Sequence, residues 1–225
     1  MKITLTLKSK SSLDGAVSTR VIHHPERSFA FEVTLDLIKG AEFFREKPPN
    51  HFHANQDEYI QAVEGITGLE IDGKEIELLP GQPEYCIEAW KNHRSYPILD
   101  KGTTTIVKFF LSGAKTPEVY GLDLLFFENW YRYQEHVSKT RGRINLIQVL
   151  STFDAGGTYI SLPWYIPFGN ILSKTMGVVL GRWIGGIFGY QPFYEHWSTN
   201  WNLACEKMQS SLFQRRFATA RYKTT

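Results

Sequence analysis

The sequence predicts a chain whose first half is mainly β and whose second half is helical, and three observations carry that division. Apolar residues recur at every second position in the first half, the period of a strand with one buried face. An Asp72-Gly73 pair, a favoured two-residue hairpin turn, separates two such runs. Beyond Pro117 the apolar spacing lengthens to that of helices. Taken in order, Ile3 to Leu7 reads as a first strand, and Phe29, Phe31, Val33, Leu35 and Leu37 form a longer one. Leu69, Ile71, Ile76 and Leu78 flank the hairpin turn. Thr103 to Leu111, rich in β-branched and aromatic residues, makes a last strand that ends at Ser112-Gly113.

In the second half, Leu124, Phe127, Trp130, Tyr131 and Gln134 to Val137 fall at helical spacing, and Ile144, Ile147 and Leu150 do so before Gly156-Gly157. Trp197, Trp201, Cys205, Met208 and Leu212 form a further stripe behind a Ser198-Thr199-Asn200 cluster able to cap a helix, to be laid on the β half or on a partner subunit. Between these lies a row of small residues at spacing four: Gly169, Ser173, Gly177, Gly181, Gly185 and Gly189. Several interior glycines each cost about 1 kcal/mol against alanine, so this helix needs a neighbour. Close packing on protein, in the chain or in a homodimer, is expected ahead of peripheral membrane contact through 169–190. A span is disfavoured by Arg182 at its middle and Lys174 near its start.

Composition narrows the partners. With 42% hydrophobic residues the chain has the material for a packed core, and 25 basic against 23 acidic side chains give a formal charge of +2. So even a balance argues against a nucleic-acid binder held by phosphate contacts. Cys86 and Cys205 offer no disulfide framework, and the alternating Met1 to Lys8 segment lacks the apolar run of a secretory signal. The expectation is a cytoplasmic protein, with membrane association only through 169–190. The tail from Gln214 to Lys223 is basic and carries no functional reading.

The chemistry concentrates at His51-Phe-His53 and Glu58. On a strand, residues i and i+2 share a face, so both imidazoles aim at one point, and Asn55 to Asp57 provide a turn that returns Glu58 to the same place. A further ligand should come from a strand beyond the hairpin, where His93 lies. Two or three neutral imidazoles with one carboxylate suit a divalent first-row metal and leave open positions on it. His23 and His24, facing opposite ways if extended, read as loop residues, and His136 and His196 belong to the helical half.

These residues resemble the first motif of the cupin superfamily: His51, His53, Glu58 and Gly65 match its H-x-H, four residues, E, six residues, G, with Arg45 where the motif opens on glycine. The second motif is matched more loosely by Gly73, Pro80, Gly81 and His93. Its glycine-to-proline spacer is one residue longer, Pro80 and Gly81 adjoin, the run to the histidine is much longer, and no asparagine follows four residues after His93. The resemblance implies a jelly-roll barrel over residues 1–115, a helical extension over 116–225, and a site of His51, His53, Glu58 and His93 holding iron, manganese, nickel, copper or zinc.

Strand parity adds Ile60 and Ala62 to the inward set with Glu58, and Lys91 or Ser95 beside His93, with Trp90, Arg94 and Tyr96 near the mouth. With Phe29, Phe31 or Phe109 the wall becomes apolar, suited to a hydrophobic small molecule. Tyr59, Glu64 and Tyr85 are candidate proton donors or acceptors. The chain looks like small cupins of fungal natural-product pathways. That likeness implies oxidation of a polyketide-like or terpenoid-like intermediate, with redox-neutral isomerisation or cyclisation, and plain ligand binding, as alternatives.

Overall fold

The computed structural model describes residues 4–12, 15–99, 104–140 and 142–219, with backbone alone for 4–12. Ile3 and Thr103, where two expected strands begin, lie outside the described residues, as does the tail beyond Thr219. The chain divides into two compact units, Met1–Lys115 and Thr116–Thr225.

The first unit contains β1 (Thr4–Ser12), β2 (Val17–His23), β3 (Arg27–Asp36), β4 (His51–His53), β5 (Glu58–Glu64), β6 (Thr67–Ile71), β7 (Lys74–Leu78), β8 (Tyr85–Ile87), β9 (His93–Pro97) and β10 (Ile106–Ala114). One sheet runs β1-β2-β3-β10-β5-β8 and the other carries β4-β9-β6-β7 in this unit, with antiparallel neighbours throughout. This is the cupin jelly roll, and the helical second unit is its extension.

Register explains the inner surface. Residues directly opposite in an antiparallel pair share a face. In the larger sheet Phe29, Gly113, Glu58 and Ile87 therefore form one inward rung, and Phe31, Leu111, Ile60 and Tyr85 the next. In the other sheet His51, His93 and Ile71 form a rung, followed by Ser95 and Leu69. The β6–β7 hairpin closes on Asp72 and Gly73, both at positive φ (47° and 80°), as a primed two-residue turn requires.

Two strand expectations need correction. β2 escapes the period-two reading because its buried residues, Thr19 and Ile22, lie three apart in a polar sequence. His23 closes that strand instead of joining the loop, where His24 accepts a hydrogen bond from the Glu26 amide. β10 does not stop at Ser112-Gly113 but runs through it to Ala114. Gly113 serves close approach there: a Cβ would lie 2.3 Å from the Phe29 ring and 2.6 Å from Gln56 Nε2.

The second unit holds α1 (Leu124–Thr140), α2 (Leu146–Ala155), α3 (Gly169–Met176), a π-helical run Gly177–Ile184 continuous with α4 (Gly185–Phe188), and α5 (Trp201–Gln209). Side chains set their starts. Asp123 accepts from the Phe126 amide, Asn145 from those of Ile147 and Gln148, and Asn200 from that of Leu203. The α5 stripe is shorter than its spacing predicts: Trp201, Cys205 and Met208 are buried, but Trp197 sits in a preceding 3-10 turn and Leu212 is exposed beyond the helix. It packs in its own unit, with Leu125, Ala155 and Phe193.

The glycine row also packs inside this unit. In an α-helix the fourth residue overshoots a full turn by about 40°. The wider π-helical turns offset that drift and keep the row facing α2 and Tyr159. A Cβ at Gly181 would lie 2.5 Å from the main chain of Leu150, one at Gly177 would meet the Tyr159 ring, and one at Gly185 the Ile147 side chain. Ser173 donates to the Ile160 carbonyl and Gly189 ends the helix at φ 98°, so the row's ends do other work. Arg182 is neutralised by Asp154, a fully buried carboxylate that it grips at 2.6 and 2.9 Å and that also accepts from Tyr159 Oη.

Candidate metal centre

The residues of the expected site arrive by strand parity, one turn and one strand pairing. β4 sets His51 and His53 on one face, and the turn after it is pinned by Asp57, whose carboxylate accepts from the Ala89 amide and whose carbonyl accepts from Ala114. β5 then begins at Glu58. β9 pairs with β4 so that His93 lies opposite His51. The outcome is a cluster in which the ligating atoms of His51, His53 and His93 lie within 4.8 Å of one another, with ring centroids 4.5 to 5.1 Å apart. Glu58, from the facing sheet, brings Oε2 to 3.1 Å from His93 Nε2 and Oε1 to 3.6 Å from His53 Nε2.

The electrostatics fit a cation. Burial, reinforced by the neighbouring His93 and His53, pushes His51 down to about 3, so its imidazole is neutral at physiological pH. Burial likewise lowers His53 against the pull of Glu58. Burial opposes the charged form of His93 as well, but the hydrogen bond and charge of Glu58 outweigh it and leave that ring raised. Burial raises Glu58 too, and there His53 and His93 together reverse it and keep the carboxylate ionised.

The outer nitrogens are anchored. A carbonyl can only accept, so Nδ1 of His93, 2.9 Å from the Lys91 carbonyl, carries the proton, and Nδ1 of His51 faces the Pro49 carbonyl at 3.3 Å. That leaves Nε2 of both rings for the centre. Three imidazoles, of which His51 is neutral and His93 would give up its Nε2 proton to a cation, together with one ionised carboxylate are the donor set a divalent first-row metal takes, so the residues present fit such an ion.

The remaining expectations separate. Phe29, Phe31, Phe109, Ile60 and Ala62 lie on the inner face and are buried. Ser95 points inward, whereas Arg94 lies on the opposite face of β9 in a bidentate pair with Glu70. Tyr96 covers Gly68 and receives the Lys47 ammonium on its ring, so neither residue is at the mouth. Trp90, at φ 68°, stacks on Phe52 and donates its amide to the His53 carbonyl, steadying a ligand strand.

Of the three candidate proton-transfer residues, Tyr59 faces away and stacks under Arg27. Glu64 lies about 20 Å along β5 from Glu58 and pairs with Lys108. Tyr85 alone is on the inner face, one rung from Glu58. Leu111, Ile87 and Gly113 complete the inner wall and were not singled out by sequence; cross-strand register, not local spacing, is the signal that identifies them.

A jelly-roll barrel whose H-x-H-x4-E segment and a histidine two strands from the hairpin turn converge on one buried point has the architecture and site arrangement that the cupin resemblance implies. No protein-family model matches the chain. It is 39% identical over 215 residues to the probable oxidoreductase yanE of Aspergillus niger, covering 92% of this chain and 83% of that one. It is 38% identical over 175 residues to the epoxidase atD of Aspergillus terreus, covering 78% of this chain and 54% of that one. Among solved structures, an RmlC-like cupin from Shewanella frigidimarina is similar, with a TM-score of 0.36 and 11% identity over 51% of this chain and 91% of that one. The chain belongs to the fungal oxidoreductase family that includes yanE.

Proposed function

We propose that the chain is a metal-dependent oxidoreductase of fungal secondary metabolism, acting on a hydrophobic polyketide-like or terpenoid-like molecule held in the barrel. The observation that carries this reading is the convergence of three imidazoles and one ionised carboxylate on a single buried point beside an apolar wall. His51, His53, Glu58 and His93 would hold a divalent first-row metal, which when bound would supply Lewis-acid and redox chemistry at this point.

The chain's own residues do the rest. Glu58 offsets the charge of the cation, and the Lys91 and Pro49 carbonyls fix the imidazoles so that little reorganisation accompanies binding. Phe29, Phe31, Leu111 and Ile60 exclude water and orient an apolar ring system. Tyr85, half-buried on the same face, is positioned to hydrogen-bond a substrate oxygen through Oη. The epoxidase name of the atD relative favours transfer of one atom of molecular oxygen to a carbon–carbon double bond, the other leaving as water with two electrons and two protons drawn from a quinol-type donor.

The test is oxygen consumption by purified, metal-supplemented protein given a panel of quinol-like and polyene-like lipophilic substrates. The reading expects uptake that depends on substrate and bound metal and is lost in His53→Ala. Substrate conversion by the metallated protein without oxygen uptake would contradict it.

A further inference from the structure

We propose that the helical unit docks on an anionic membrane surface, with the helix Gly169–Phe188 lying flat in the headgroup region. From Ala155 to Tyr194 the chain has no Asp or Glu, and its only cations there are Lys174 and Arg182. Arg182 is committed to Asp154, and the glycine side of the helix is committed to α2, where Gly181 abuts the main chain of Leu150. The outward side is left to solvent and is apolar, with Trp183, Ile187 and Phe188 exposed.

The loop that enters this helix extends the same character. Trp164 is 95% exposed, Tyr165 69% and Phe168 80%. Exposed large aromatics in such number are rare on a surface meant for water, and Trp and Tyr are the side chains that favour the membrane interface.

Charge complementarity selects the occupant. Arg215 and Arg216 are exposed, and Arg216 donates to the carbonyls of Gly186 and Ile187, which sets this basic pair at the C-terminal end of the apolar helix. Arg221 and Lys223 follow in sequence. An apolar helix face, aromatic residues at its start and arginines at its end match the acyl boundary and the anionic headgroups of one leaflet. Crossing the bilayer would require pulling Arg182 from its buried carboxylate and the glycines from α2, so the helix lies on the surface.

Flotation of the full chain with vesicles tests this. With equimolar phosphatidylcholine and phosphatidylserine the protein should float, and with phosphatidylcholine alone binding should fall about tenfold. Combined Trp164→Ser, Phe168→Ser and Phe188→Ser should abolish flotation while near-ultraviolet circular dichroism stays unchanged, since all three are exposed. Arg215→Glu should reduce binding to the mixed vesicles about tenfold. Absence of flotation, or flotation undiminished in the triple variant, overturns the proposal. So does a vesicle-negative dimer that the triple variant splits in light scattering, which would assign the face to a second copy of the chain.

Discussion

The two units both bury charge, and they do so to opposite ends. In the helical unit Asp154 and Arg182 satisfy each other through two hydrogen bonds, and Tyr159 adds a third to the carboxylate. That cluster is closed: one positive group, one negative group, and no set of lone pairs left facing a common point. In the barrel three imidazoles, at least one of them held neutral, crowd around a single carboxylate. More ring nitrogens than the one carboxylate can satisfy converge on a single point and suit a cation. The lesson is that burial and ion pairing alone do not mark a functional site; an excess of convergent donors to a metal does.

Four substitutions break or sharpen that contrast. The largest effect is expected at Asp154→Ala, which leaves the half-buried Arg182 without its carboxylate and Tyr159 Oη without its acceptor, and should cost about 3 kcal/mol in a denaturant titration while metal stoichiometry in the folded fraction is unchanged. His53→Ala should do the reverse, weakening metal retention by at least about 100-fold by competitive chelation while the β-rich circular dichroism remains. Gly181→Leu drives a side chain into the Leu150 main chain and should lower stability by about 1–3 kcal/mol in thermal melts. Smallest is Glu64→Gln, which removes a half-exposed pair with Lys108 and should shift stability by less than about 0.5 kcal/mol and leave any oxygen uptake untouched.

What sequence made legible follows the range of the interaction. His51, His53 and Glu58 come together through strand parity and one turn, and the Asp72-Gly73 hairpin follows from two residues that tolerate positive φ. His93 was found because the hairpin fixes where the chain must return. The misses are non-local. β2 hides its buried face behind polar residues, Arg94 was drawn to the site by proximity in sequence although parity turns it outward to Glu70, and the partner of the glycine row, the Leu150 main chain, leaves no mark in a glycine pattern. Asp154 is a further non-local case, because its burial against Arg182, 28 residues away, leaves no local pattern.

Everything said of the barrel's chemistry depends on the convergent imidazoles taking a cation, and X-ray absorption at the edge of the metal that copurifies with the chain examines this most directly. The account predicts imidazole scattering from three rings with oxygen completing the shell, and loss of one ring's contribution in any His variant that still retains metal. A shell built of oxygen alone, or one that His51→Ala, His53→Ala and His93→Ala leave unaltered, would contradict it.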